Sequence, residues 1–103
     1  MFDNKGFMTT GFRNKIPEQT KMVLISQINA LQSADYQVDY LQIISLSLDI
    51  VDGEMVQKVI HSQEQPAHNE VFYFSAPECE IISEKVYVID DKDHHTYLLA
   101  SEY

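Results

Sequence analysis

Between Tyr40 and Pro66 the side chains alternate. Gln42, Ile44, Leu46, Leu48 and Ile50 share one parity; Ile43, Ser45, Ser47 and Asp49 share the other. A period of two marks an extended strand, whose successive side chains point to opposite faces. Asp52-Gly53 interrupts the run, and Glu54 to Gln65 resumes it. Asp-Gly suits a two-residue type I′ turn, because both central positions need positive φ. Placing Asp52 and Gly53 there fixes a register. Val51 then faces Glu54, Ile50 faces Met55, Leu46 faces Val59 and Ile44 faces His61. On the other face Ser45 meets Ile60 and Ser47 meets Lys58. A slip of one residue would turn all of these over. The second face becomes polar toward Asp52, so the tip is expected to protrude into water. Pro66 has no N–H to give a ladder, so the second strand should stop near Gln65.

Upstream the period changes to that of a helix. Glu18 to Gln32 contains no Gly or Pro, and Leu24, Ile28 and Leu31 recur at steps of four and three. Val23 and Ile25 widen that stripe, while Ser26, Asn29 and Ser33 fall opposite. This predicts an amphipathic helix over about 17–33, with Pro17 as its first residue and Glu18 near its positive end. Met22 falls toward the polar side. Before it, Gly6 to Phe12 reads as a short strand and Arg13-Asn14-Lys15 as a connection.

Downstream, Pro66 to Asn69 reads as a loop and Glu70 to Ser75 as a strand. Val71 and Tyr73 lie on one of its faces, Phe72 and Phe74 on the other. Two apolar faces predict a covered, central strand. Ala76 to Glu80 turns around Pro77, and Ile81-Ile82 begins another extended piece. Val86 to Ile89 and Thr96 to Leu99 form a second hairpin around Asp90-Asp91-Lys92-Asp93. The sum is a single α+β domain over 1–103. It is a mostly antiparallel, curved sheet of five to six strands with one amphipathic helix packed on one face. An open sheet and a partly closed barrel both fit the pattern.

Composition narrows the partners. The 103 residues carry 7 Lys+Arg against 16 Asp+Glu, a net charge of −9. Such a chain gains nothing electrostatically from a phosphate backbone or an anionic bilayer, so neither nucleic acid nor membrane is an expected partner. The acidity serves solubility, or steers the chain toward a basic protein. Cys79 is the single cysteine and lies between Glu78 and Glu80, a poor setting for a thiolate nucleophile. No intrachain disulfide is possible, and Met1 to Lys15 holds no apolar run of signal length. A cytoplasmic location is expected.

Candidate chemistry concentrates at the end of the first hairpin. His61, Gln63 and Gln65 share one face there, Ser62 and Glu64 the other. Read plainly, this is a strand running past the core into solvent. Read as a site, the glutamines could bind a polar ligand and His61 could move a proton. His61, Gln63, Glu64 and Gln65, with Asp90 and Asp91, are the candidate ligand or partner contacts. The other histidines offer no metal spacing, and the adjacent His94 and His95 must point to opposite faces. The acidic Asp90–Asp93 loop fails as a calcium loop, since Thr96 stands where the sharp turn needs glycine. No phosphate-binding glycine loop or nucleophile elbow is present. No catalytic residue, cofactor or metal is therefore assigned. The expectation is a non-enzymatic protein-interaction module, self-associating through a sheet edge or the exposed hairpin. The alternative is a small-molecule binder or hydrolase, which needs His61–Gln65 to line a pocket with Asp90 and Asp91.

Several stretches in order resemble domain of unknown function family 960. They are Asp39-Tyr40-Leu41-Gln42, Ile60-His61-Ser62-Gln63-Glu64-Gln65-Pro66, Val88-Ile89-Asp90-Asp91 and Leu98-Leu99-Ala100-Ser101-Glu102-Tyr103, with the Ile16-Pro17 helix entry. The resemblance implies a short cytoplasmic protein of staphylococci, lactobacilli and related Gram-positive bacteria, and implies no activity. In that family an arginine often stands at the position of Ser62 and a glycine at that of Lys92. The basic contact and the turn chemistry there accordingly differ in this chain.

Overall fold

The structure, a computed structural model, describes residues 1–103. Strand β1 (Lys5–Met8) leads into α1 (Thr10–Lys15) and α2 (Glu18–Asn29), which a 3-10 turn (Ala30–Ser33) extends. Then come β2 (Leu41–Val51), β3 (Glu54–Glu64), β4 (Ala67–Phe74), β5 (Glu84–Asp90) and β6 (His94–Leu99). A 3-10 turn, Ala100–Glu102, closes the chain. The six strands form one sheet in the order β1-β6-β5-β2-β3-β4. All neighbours are antiparallel except β1 and β6. Strands β1 and β4 are its two edges, so the sheet is open and not a barrel.

The central hairpin has the register that its alternation and turn demand, from Val51 against Glu54 to Ile44 against His61. Asp52 and Gly53 take φ of 52° and 81°, as a type I′ turn requires. The helical segment also lies where the periodicity puts it. Pro17 stands just before the first helical residue, and the last turn tightens to 3-10 in the absence of a glycine cap.

Three local expectations are corrected. Gly6 to Phe12 is not one strand. The strand ends at Met8, and the Thr9 hydroxyl accepts the Phe12 N–H at 3.2 Å, starting α1. This turn buries Phe12, which an extended chain would have carried to the sheet edge. Pro66 to Asn69 is not a loop. The turn is confined to Gln65-Pro66, joined by a cis peptide, and β4 starts at Ala67. Finally, β4 is an edge strand, with Val71 and Tyr73 exposed. Its second apolar side reflects the face that the helices leave uncovered.

The main core cluster lies between the helices and one face of the sheet, while Leu98, also buried, faces the other side. Phe12, Ile16, Leu24, Ile28 and Leu31 from the helical layer meet Ile44, Leu46, Val59, Val86, Val88, Tyr97 and Leu99. Each such aliphatic or aromatic side chain contributes about 1.5–3 kcal/mol by leaving water. Phe2, before β1, is buried in the same cluster. The far end of the β2–β3 hairpin runs beyond the helices, leaving Leu48, Ile50, Val51 and Met55 exposed.

Candidate functional site

The polar end of β3 does not run into solvent. His61 and Gln63 are buried on the helix side of the sheet, where Gln42 of β2 joins them. Orientation follows from the amide partners. Gln42 Nε2 donates to the Asp39 carbonyl (2.8 Å) and to Gln63 Oε1 (2.9 Å), so its Oε1 faces His61 Nε2 at 2.6 Å. Gln27 Nε2 donates both to Glu70 Oε2 (2.9 Å) and to His61 Nδ1 (3.0 Å). His61 is therefore neutral with its proton on Nε2, and burial holds its pKa below the ordinary value. Gln63 Nε2 completes the circuit on the Gln37 and Pro66 carbonyls, at 2.8 and 2.9 Å. Gln57 does similar work further along β3, bonding Ser47 O and both the N–H and C=O of Ile82. Glu64 and Gln65 are exposed. Every polar atom of His61 and Gln63 has a partner inside the protein.

Asp90 and Asp91 lie elsewhere, at the end of β5. Asp90 is buried. Its Oδ2 accepts the Phe2 N–H at 2.6 Å, and its Oδ1 accepts Lys92 N–H (2.7 Å) and Asn4 Nδ2 (3.1 Å). Burial alone would raise its pKa, but these bonds and the positive N-terminus together hold it below the ordinary carboxylate range. Asp90 and Asp91 help line an open cavity of about 500 Å³ with Met1, Asp3, Tyr40 and Lys92. None of His61, Gln63, Glu64 or Gln65 lines it, so the structure does not bring the two groups of candidates together.

Beside it lies a second cleft, of about 250 Å³, between α2 and the β1–β6 edge. Asn4 links the two places. Its Nδ2 faces Asp90 and the Lys92 carbonyl, so its Oδ1 must accept from His95 Nδ1, at 2.7 Å. That fixes the His95 tautomer, with the lone pair on Nε2. His95 and Tyr97 stand two residues apart on β6 and share the helix-side face, their ring centroids 5.5 Å apart. Both line the cleft, with Gly6, Met8, Ile25 and Asn29. Burial lowers the His95 pKa and pushes the Tyr97 phenol up to about 12, so both are uncharged at neutral pH. From the sequence His95 has no assigned role. The alternation that separates His94 from His95 was the signal that one of them faces inward.

The opposite face of the sheet carries no helix. Leu98, Tyr87, Ile43 and Ser62 run across it in register, followed by Lys85, Ser45, Ile60 and Val71 and then Ser47, Lys58 and Tyr73. Tyr103 reaches over one end, edge-on to Tyr87. Lys5, Lys58 and Lys85 on this face are matched by Asp49, Glu54 and Glu64, so the net charge of −9 is carried elsewhere.

These features define a two-layer α+β protein with one covered and one open sheet face. The chain belongs to the DUF960 family, described as a staphylococcal protein of unknown function, whose family model matches residues 5–102. A solved structure, that of a protein of unknown function from Enterococcus faecalis, has the same fold. It superposes with a TM-score of 0.74 at 19% identity, over 98% of this chain and 92% of that one. No curated protein matches the chain. No helix is long and apolar enough to cross a membrane.

Proposed function

We propose that the chain is a non-enzymatic protein-interaction module of the cytoplasm that pairs with a second copy of itself through the open sheet face. The observation that supports this is the combination of apolarity and charge balance on that face. Ile43, Ile60, Val71, Tyr73 and Tyr87 offer a broad apolar surface, and the lysines and carboxylates around them cancel. Two copies meeting through any other surface bring the excess of carboxylates together. The molecule extends 41 × 30 × 20 Å, so its broad face exceeds the roughly 800 Å² per partner of a standard interface. Sheet-on-sheet packing of this kind is the architecture of β-sandwich cores. The cytoplasmic setting rests on the family resemblance.

Light scattering on a concentration series tests the reading. The wild type is expected to pass from monomer to dimer, and Ile43→Lys with Ile60→Lys to stay monomeric. A wild-type chain that is monomeric at every concentration overturns self-association. A dimer that the double substitution leaves intact moves the contact off this face.

A further inference from the structure

We propose that the cleft between α2 and the β1–β6 edge binds a small, uncharged, planar lactam, which donates its N–H to His95 Nε2 and accepts the Tyr97 hydroxyl. Buried polar groups in proteins almost always have partners. His95 and Tyr97 are only 4% and 3% exposed, yet neither Nε2 nor the phenol oxygen hydrogen-bonds within the protein. No fully enclosed side-chain N or O in the protein lacks a partner, so these two atoms reach the cleft and are not sealed away. Thr20, 1% exposed, also has no side-chain partner within the protein, but it stands alone, whereas His95 and Tyr97 line one cleft together.

The chemistry of the occupant follows from what the pair can give. The Asp90–Asn4–His95 chain holds His95 with a lone pair presented and no proton to donate from Nε2. Tyr97 beside it is a neutral donor. One acceptor and one donor, on rings 5.5 Å apart that line the same cleft, match the N–H and the C=O of one small ring. A charged ligand finds no counter-ion among the lining residues, and an anion is repelled by the −9 chain. Met8 and Ile25 supply apolar walls for a flat ring. Gly6 keeps the space open, since a Cβ there would lie 2.9 Å from His95 Nε2. The volume, about 250 Å³, falls below the range of ~300–1,000 Å³ of drug-sized sites, which suits a single ring. This site is on the covered face and is independent of the dimer contact proposed above.

The test uses the full chain and 2-pyridone as probe, followed by NMR of the His95 Cε1–H and the Tyr97 ring. Saturable shifts at both residues are expected. N-methyl-2-pyridone, which lacks the donor, and the Tyr97→Phe variant should each bind about tenfold more weakly, the worth of one hydrogen bond. Gly6→Ala, which crowds His95 Nε2, should abolish the shifts. The probe pair needs no variant, so misfolding of a variant does not spoil the test. Absence of saturable shifts at His95 and Tyr97, or equal binding of the N-methylated probe, overturns the proposal.

Discussion

The Asp90 carboxylate accepts the Phe2 backbone N–H at 2.6 Å, across 88 residues of chain. This bond ties the N-terminal segment to the end of β5, and through Asn4 it positions His95. Asp90→Asn puts an amide where a carboxylate received three donors. A lost hydrogen bond to a charged group costs about 1.5–3 kcal/mol, and a drop of that size in urea unfolding at neutral pH is expected. The pH dependence has a definite sign. The folded pKa of Asp90 lies below the unfolded value of 3.8. Its contribution is therefore complete above that value and is lost as pH falls through the folded pKa. The wild type should weaken in that acid window, and the variant should show a shallower decline there.

His61 predicts a second slope at higher pH. Burial lowers its pKa; Glu70 opposes that shift and His68 adds to it. Protonation would also set an Nδ1–H against the Gln27 amide donor. The folded pKa thus lies below the unfolded 6.5. Stability is full above that unfolded value and falls as pH drops from it toward the folded one. His95 is shifted in the same direction, so His61→Gln should remove part of the slope and not all of it. Nitrogen-detected imidazole spectra should show the Nε2–H tautomer at His61 and the Nδ1–H tautomer at His95.

The β2–β3 turn isolates backbone strain. Gly53 has φ of +81°, and a Cβ added to it meets nothing within 4 Å. Gly53→Ala therefore loses no packing and suffers only the left-handed penalty, about 1–2 kcal/mol. The urea midpoint should fall by that free energy divided by the slope, and the slope should stay unchanged, since the register is fixed by the buried side chains along both strands.

What the sequence made legible was whatever repeats locally. Alternation and one turn dipeptide sufficed for the β2–β3 register down to single pairs, and helical spacing located α2. Long-range polar partners left no such trace. Alternation correctly put His61 and Gln63 on one face, but only the fold reveals that the Gln27 amide and the Asp39 and Gln37 backbone cover them. The same limit explains β1. Thr9 looks like a strand residue until Glu102, 93 residues on, accepts its hydroxyl at 2.6 Å and the Gly11 N–H at 3.2 Å. The stretches that carry the family resemblance turn out to be these knots. Asp39, Gln42, His61, Gln63 and Gln65 meet in one network. Asp90 holds the N-terminus, and Glu102 holds the start of α1. Asn4, Gly6 and Tyr97 fall outside those stretches, and a chain read in windows could not bring them to His95.

The one-sidedness of the sheet can be read from two adjacent residues of β3. Val59 is fully buried beneath the helices and pairs with Leu46 and Phe72. Ile60 points to the open face, between Ser45 and Val71. Val59→Ala removes two methyl groups from the packed side, so the transfer term and the cavity together should cost about 2–3 kcal/mol. Ile60→Lys places a flexible stem and a charge on a surface already carrying Lys58 and Lys85, and should change the stability of the monomer by about 0.5 kcal/mol or less. Chemical unfolding under dilute, monomeric conditions separates the two. If Ile60→Lys destabilised the monomer as much as Val59→Ala, the second face would have to be covered within the chain itself, and a docking role for it would fail.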